Sequence, residues 1–304
     1  MLKNYFPTIA IITIVTTILL IFIGVLVRAT GAGLGCPDWP QCFGMWVPPT
    51  SVAELPDAYD ASEFNVVKTW TEYINRLVGV LVGFLILLTT IFSTAYIADR
   101  KKVFFSSFAS LILVIFQGWL GGQVVRSGLS SGMISIHMTI ALAILMTLVY
   151  AAWHAIRDNY RFTLMRHHKR ALYKLSMLLL VLTISQVILG TQVREGIDMV
   201  NKELFERSEW LEQVGLIDEI HRSFSWSILL TGLGIIYYVK KHNLVYNISR
   251  LAFSVMGLII LQILIGVVLA YGGLPASFQV LHLGFSAILV VAIQLLLLSS
   301  RHHR

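Results

Sequence analysis

The sequence predicts an all-α membrane protein with eight transmembrane helices, arranged as two pseudo-repeated four-helix bundles. Of its 304 residues, 57% are hydrophobic and 13% are charged, against about 25% charged in an ordinary soluble domain. The few charges are clustered, which leaves long uncharged stretches between them. A bilayer core about 30 Å thick needs roughly 20 apolar residues in a helix, so these stretches are long enough to span it. Fibres, nucleic-acid binders and small disulfide-rich secreted domains are excluded.

The eight predicted helices follow these stretches in order along the chain. The longest stretch, 251–300, holds two helices because Gly272, Gly273 and Pro275 interrupt it. The helices are predicted at residues 7–28, 72–97, 104–126, 132–156, 172–194, 218–239, 250–272 and 276–299. With this even number of spans, both termini lie on one side of the membrane.

The net charge of +7 is unevenly divided between the two sides. The side with both termini carries 15 Lys and Arg and 2 Asp and Glu residues, a net charge of +13. The other side carries 8 and 14, a net charge of −6, and the two values sum to +7. The positive-inside rule therefore predicts a multi-pass protein of a prokaryotic plasma membrane with both termini in the cytoplasm. The basic charge reports topology and does not indicate a nucleic-acid partner.

Matches at fixed spacings predict an internal duplication. Five positions recur 145 residues later: Gln117, Gly121, Gly128, Leu129 and His137 match Gln262, Gly266, Gly273, Leu274 and His282. Four more recur at spacings of 146 or 166: Asn75, Arg76, Gly24 and Arg28 match His221, Arg222, Gly190 and Arg194. We predict an N-terminal half at 1–156 with an extracytoplasmic loop at 29–71, a basic cytoplasmic linker at 157–171, and a C-terminal half at 172–304.

Three of the nine histidines, His137, His221 and His282, lie within the predicted helices, one to two turns from the extracytoplasmic side. Ionisable residues inside a membrane are candidates for function, although a neutral histidine can also bond neighbouring helices. The others are expected at solvated or interfacial positions near the cytoplasm: His154, His167, His168, His242, His302 and His303.

His221 and His282 begin two helices of the C-terminal half at similar depth. Two imidazoles at one level of a four-helix bundle can supply both axial ligands of a haem iron. A zinc ion would require a third protein ligand, and none is evident. The sequence therefore predicts a bis-histidine haem in this half.

The N-terminal half differs at one matched position. His137 corresponds to His282, but Asn75 stands where the other half has His221, and a neutral amide is a poor iron ligand. A haem held through His137 alone would keep one axial face open. Glu72 lies one turn before Asn75, and a carboxylate beside an open iron face suits oxidation chemistry. The alternative is that Glu72 is simply a carboxylate at a helix start, where the positive end of the helix dipole stabilises it.

Five arginines lie at the extracytoplasmic helix ends: Arg28, Arg76, Arg126, Arg194 and Arg222. Interfacial snorkelling would explain each of them. Haem propionates, however, are carboxylates that favour arginine partners at the wet edge of a pocket. Because the candidate histidines lie at the same end, we expect Arg76 and Arg222 to contact propionates.

Cys36 and Cys42 both lie in the first extracytoplasmic loop. Outside the cytoplasm an oxidised pair is permitted, and their separation of six residues can close a ring. We predict a disulfide, and the sequence leaves open whether it is structural or exchanges electrons.

The sequence resembles the haem A synthase family over essentially its whole length. The motifs are the run R-x-T-G-x-G-x-G-C-P-D-W-P-x-C from Arg28, E-x-x-N-R from Glu72, E-I-H-R from Glu219, and the repeated His137 and His282. The resemblance implies two four-helix halves, with haem b as cofactor in the C-terminal half and the substrate haem O in the N-terminal half. It implies stepwise oxidation of a porphyrin methyl group to a formyl group through hydroxylated intermediates.

By this resemblance, His221 and His282 ligate haem b, His137 contacts the substrate iron, and Glu72 is the essential carboxylate. Asn75 departs from the family, which usually has histidine there. The expected partners are haem O, haem O synthase, an unidentified electron carrier and the lipid bilayer, with a homo-oligomer left open.

Two other functions compete with this one. The first is a non-catalytic cytochrome b that moves electrons across or along the membrane, or another haem-handling protein. Transfer across the membrane is disfavoured, because all candidate ligands lie near the extracytoplasmic side. A transporter would place its substrate site at the midplane, where no helix shows an unwinding signal.

Overall fold

A computed structural model describes residues 2–159, 164–200 and 210–301, and the regular elements in these ranges are all helical. The α-helices are α1 Leu2–Ala29, α2 Val66–Ser93, α3 Lys101–Arg126, α4 Ser131–Ile156, α5 Arg166–Val200, α6 Trp210–Val214, α7 Leu216–Lys241, α8 Tyr246–Tyr271 and α9 Ala276–Arg301. Short 3-10 helices lie at Val52–Glu54, Thr94–Tyr96 and Arg157–Asn159.

Helix α5 differs most from its predicted range of 172–194. At 35 residues it is the longest helix described, and it runs beyond that range at both ends. Beyond Arg194, Ile197 and Val200 are buried, and Ile197 packs in a cluster with Trp210 of α6. At the other end His168 and Leu172 are buried as well. Tertiary packing therefore extends the helix through segments whose charges suggest its ends.

The protein is a multi-pass membrane protein. Among the described residues, seven helices are long and apolar enough to cross a bilayer, namely α1 to α5, α8 and α9. Helix α7 is 26 residues long, as α3 is. Its first two turns, however, contain four ionisable residues: Asp218, Glu219, His221 and Arg222. Length and composition thus support seven of the eight predicted spans.

The chain divides into two compact units, Met1–Ala151 and Ala152–Arg304. In the first unit, α2 packs against α1 and α3, and the Ser110 and Thr147 hydroxyls join α3 to α4 at 2.9 Å. In the second unit, α9 packs against α5 and α8, and α7 also contacts both of these helices. Residues 160–163 of the predicted linker lie outside the described residues, and α5 already begins at Arg166.

Two helical hairpins, one in each unit, have the same local structure. Helices α3 and α4 begin and end 145 residues before α8 and α9. Both connecting turns use a Gly-Leu pair with positive φ, at 62° and 63° for Gly128 and Leu129 and at 69° and 55° for Gly273 and Leu274. A leucine rarely adopts this left-handed conformation. Its occurrence at both turns supports the predicted duplication.

Candidate functional site

The imidazoles of His221 and His282 lie together in the C-terminal unit. Their ring centroids are 6.5 Å apart and their planes are inclined by 77°. The Nδ1 atom of each ring is buried without a hydrogen-bond partner. His282 lies six residues into α9 and His221 five into α7, so both stand about 8 to 9 Å from their helix starts. The structure therefore brings the predicted pair together at one level.

This spacing fits two axial ligands of one haem iron. With each ligating nitrogen about 2.0 Å from the metal, two imidazoles on opposite faces have centroids about 6.3 Å apart. Among the described residues, no group of three or more His, Cys, Asp or Glu side chains is arranged to hold a metal ion. A planar iron porphyrin, which needs only two protein ligands, suits this pair better than a zinc ion does.

Arg222 follows His221 and lies at the edge of the pair. It forms an ion pair with Asp218 at 2.7 Å, and its side chain remains 47% exposed. It lines a cavity of about 250 Å³ together with Glu212 and Glu219. A ligand carboxylate there would meet one cation and two acidic groups, and the propionate contact stays a prediction.

In the N-terminal unit, His137 and Asn75 occupy separate helix interfaces. A Cβ atom placed on Gly121 of α3 would lie 3.5 Å from Cε1 of His137, so the ring faces α3. One placed on Gly24 of α1 would lie 3.7 Å from Oδ1 of Asn75, so that amide faces α1. Nδ1 of His137 and Oδ1 of Asn75 are both buried without a hydrogen-bond partner.

Glu72 joins α2 to the cysteine-containing loop. Only 4% of this residue is exposed. Its Oε2 accepts the backbone N–H of Cys36 at 2.9 Å, and its Oε1 pairs with Arg76 one turn later. The carboxylate is therefore held by a loop amide and a cation.

Arg76 has a different environment from its matched residue, Arg222. Its guanidinium donates to the carbonyls of Asp38 and Gln41, both at 2.8 Å, to that of Cys36 at 3.3 Å, and to Glu72. These bonds occupy four of the five N–H donors that an arginine offers. A haem propionate would have to share an arginine already bound to the loop, so the predicted propionate contact is better supported for Arg222.

The predicted disulfide is present between Cys36 and Cys42, whose Cα atoms are 4.8 Å apart. The two cysteines are 0% and 1% exposed and pack with Phe43 in a small hydrophobic cluster. Four partly buried aromatic or aliphatic residues surround this cluster: Leu55, Tyr59, Phe64 and Tyr73. Because a buried disulfide is poorly accessible to an exchange partner, its burial favours a structural role.

The loop also packs on α3 beside the helix surface that faces His137. The indole of Trp39 lies against Gly122, where an added Cβ atom would come within 2.9 Å of the ring. The next glycine toward the N-terminus, Gly121, faces His137. The loop therefore reaches the part of the N-terminal unit that holds its candidate iron ligand.

Comparison with known proteins shows the family of this chain. Residues 7–294 match the model of the COX15-CtaA family, described as cytochrome oxidase assembly protein. The chain belongs to this family. The match covers nearly the whole chain and confirms the resemblance to haem A synthases.

Several bacterial relatives of the chain are named heme A synthase. The protein of Shewanella oneidensis is 25% identical over 312 residues, covering 93% of this chain and 92% of that protein. That of Pelagibacter ubique is 26% identical over 325 residues, covering 92% of each. That of Alkalihalophilus pseudofirmus is 32% identical over 146 residues, covering 46% of this chain and 44% of that protein.

The sequence alone does not identify three glutamines of this COX15-CtaA family member as functional candidates. Three glutamines donate from Nε2 to the backbone carbonyl of a candidate histidine: Gln117 to His137, Gln186 to His221 and Gln262 to His282. Two of them appear in the repeat, but only as markers of duplication. The signal available was the spacing Gln-x-x-x-Gly, which occurs at all three sites.

Two of the histidines that the sequence predicts near the cytoplasm are buried. His168 is only 9% exposed; its Nδ1 lies 2.8 Å from the Tyr238 hydroxyl, and its ring packs between His167 and His242. His154 is also buried, at 6% exposed. The expectation of a solvated position is wrong for His168, because Tyr238 and His242 of the neighbouring helix cover it. The interfacial position of His154 stays a prediction. His302 and His303 lie outside the described residues.

Proposed function

We propose that this protein is a haem A synthase, which oxidises a methyl group of haem O to a formyl group by successive hydroxylation. Its family membership and the names of its relatives support the reaction class. The proposal places haem b, as a cofactor, in the C-terminal unit and haem O, as the substrate, in the N-terminal unit. Haem O synthase would supply the substrate.

The observation that carries this proposal is the difference between the two matched histidine sites. The C-terminal unit pairs His221 with His282 at 6.5 Å. In the N-terminal unit, the position matching His221 is Asn75. Two imidazole ligands suit an electron-transfer haem, whereas a single histidine leaves one face of the substrate iron open. One unit is thus suited to electron transfer and the other to oxidation.

Each residue of the site has a definite task under this proposal. His221 and His282 would hold haem b, which supplies one-electron transfer when bound. His137 binds the substrate iron, and Arg222 contacts a propionate at the pocket edge. Glu72, with its carboxylate oriented by Cys36 and Arg76, stands ready to accept or return a proton. With water as the oxygen source, conversion of the methyl group to the formyl group takes up one water molecule and releases four electrons and four protons. The electrons leave on an external carrier, two for each hydroxylation.

Pigment extraction from the purified protein tests this function directly. We expect haem b together with haem O or haem A, and formation of haem A from supplied haem O. Haem b alone, with no conversion of haem O, would instead favour a non-catalytic membrane cytochrome b.

The ligand assignment has its own test. His221→Ala and His282→Ala should each abolish the low-spin haem b spectrum, because each removes one of two axial ligands. His137→Ala should leave that spectrum unchanged while haem A formation stops. Retention of the low-spin spectrum in both C-terminal variants would overturn the assignment.

A further inference from the structure

Each candidate histidine is held by two residues of a neighbouring helix that lies earlier in the chain. A glutamine donates to the histidine's backbone carbonyl at 2.9 or 3.0 Å, and a glycine four residues later faces the histidine's imidazole. We call this arrangement a histidine seat. The three seats consist of Gln117, Gly121 and His137; Gln186, Gly190 and His221; and Gln262, Gly266 and His282.

The orientation of each glutamine amide follows from chemistry. A backbone carbonyl can only accept a hydrogen bond, so the NH₂ group of the amide must face it. Oε1 of Gln117 and of Gln186 is buried without a hydrogen-bond partner. Among the described residues, the bond to the histidine carbonyl is thus the polar contact that these two partly buried side chains make.

The position that lacks a histidine also lacks the glutamine. Asn75 of α2 matches His221, and Gly24 of α1 matches Gly190 and still faces it. Four residues before Gly24, where the seat would have its glutamine, stands Leu20, which packs against the apolar cluster around Val82. Glutamine is present in the three places with a histidine and absent in the fourth, which ties it to the histidine rather than to helix packing.

We propose that Gln117, Gln186 and Gln262 are positioning residues that aim the three histidines at haem iron. This inference rests on the proposed function, because it takes the histidines to be iron ligands. The amide fixes the height and rotation of the histidine's helix against its neighbour. The glycine lets the imidazole lie against the backbone of that neighbour. Together they set the ring direction through the backbone, whereas a metal-bound histidine is commonly oriented through its second ring nitrogen.

The tightest seat is that of His221. A Cβ atom on Gly190 would lie 3.1 Å from Cε1 of His221, against 3.5 Å at Gly121 and 3.6 Å at Gly266. An added methyl group therefore displaces the His221 ring, while the two other rings would meet it at ordinary contact distance. Substituting alanine for Gly190 should consequently disturb iron ligation more than the same change at Gly266.

The test uses the full-length protein purified with its haem b. Gln186→Leu copies the residue found in the histidine-free position, and Gly190→Ala displaces the ring directly. We expect each to release haem b to an apoglobin scavenger roughly tenfold faster, the scale of outer-shell substitutions at metal sites. The bound haem should also show a changed low-spin electron paramagnetic resonance signal, which a loss of folded protein alone would not produce.

Gln294→Leu is the matched control. It removes a buried glutamine from the same helix as His282, twelve residues further along and thus about 18 Å away. It should leave the resonance signal unchanged, and an equal change there would overturn the proposal.

The outcomes separate this inference from the proposed function. A wild-type protein without low-spin haem b contradicts the proposed function itself. A wild-type signal that His221→Ala abolishes, but that Gln186→Leu and Gly190→Ala both leave unaltered, supports the ligand and refutes the seat. If a variant accumulates poorly, the signal of its remaining folded fraction decides, because an unaltered signal refutes positioning.

Discussion

Glu72 illustrates how one buried charge can serve both the fold and the chemistry. Both of its carboxylate oxygens have partners, the Cys36 amide and the Arg76 guanidinium. An unpaired charge in such a buried position would carry a large free-energy cost, and these two partners offset part of it. The same bonds tie the loop to α2, so a loss of activity on removing Glu72 has two explanations.

Substituting glutamine for Glu72 separates these explanations when the reduction rate of the Cys36–Cys42 disulfide is measured beside activity, because the change also removes the ion pair with Arg76. Glu72→Gln keeps an oxygen that can accept the Cys36 N–H but can no longer take up a proton. We expect haem A formation to fall by roughly 100-fold or more, the usual contribution of a general acid or base. The low-spin haem b spectrum should be unchanged, because Glu72 lies in the other unit. Normal turnover measured with supplied haem O would remove Glu72 from the chemistry.

The three histidines and Glu72 could be singled out from the sequence as candidates, because a polar residue within an apolar helix is rare and has a high free-energy cost. The glutamines could not be singled out in the same way. An uncharged amide is common in helices, and its role arises from a bond to a carbonyl on another helix. Arg76 shows a second limit, because its partners are backbone carbonyls of a loop whose path the sequence does not specify.

At the scale of elements, the cysteine-containing loop between α1 and α2 is held by several independent contacts. Arg76 binds three of its carbonyls, and the Asp38 carboxylate accepts the N–H groups of Phe43 and Gly44 at 2.6 and 2.9 Å. The disulfide closes the same turn and lies buried beneath aromatic side chains. We interpret the loop as a folded cover over one end of the N-terminal unit.

Removing the Arg76 side chain should open this cover. Its side chain is 15% exposed and that of Glu72 is 5% exposed, and breaking such a mostly buried pair costs about 3 kcal/mol. If that cost falls on local opening, reduction of the Cys36–Cys42 disulfide in native Arg76→Ala protein should be roughly 100-fold faster than in wild type. Thiol labelling after timed exposure to reductant measures this rate.

Lys68→Ala is the control for the loop experiment. Lys68 is an exposed cation two turns earlier on α2, and its loss should leave the reduction rate near that of wild type. Equal rates in Arg76→Ala and wild type would show that Arg76 does not hold the loop closed.

The helices themselves illustrate what hydropathy and charge can predict. Each of the eight predicted ranges overlaps a long helix, because uncharged stretches of bilayer length have few alternatives in a membrane. The predicted range of α5 is too short at both ends, because packing against other helices stabilises polar turns outside the apolar core. The sequence does not predict the short α6, because its five residues carry no periodic signal.

At the scale of the whole molecule, the matched and unmatched helix pairs agree with the difference in function that we propose between the two units. The hairpin α3–α4 has the same bounds and turn as α8–α9, and each contains one histidine seat. The remaining pairs differ, because α5 and α7 form a third seat whereas α1 and α2 present Leu20 and Asn75 at the matched positions. We interpret the protein as a repeated structure with four matched positions, three of which are histidine seats. The fourth, at Asn75, lacks both the histidine and the glutamine.

Helix α7 is the long helix whose composition alone does not identify it as membrane-spanning, and its topology can be tested directly. If α7 crosses the bilayer, Gln213 before it and Lys241 at its end lie on opposite sides. A membrane-impermeant maleimide applied to intact cells should label Gln213→Cys, whereas Lys241→Cys should react only after lysis, because the positive-inside rule predicts that the basic ends face the cytoplasm. The native cysteines form a disulfide and supply no competing thiol. Labelling of both variants in intact cells would show that α7 does not span, and both histidines of the C-terminal pair would then need a new placement relative to the membrane.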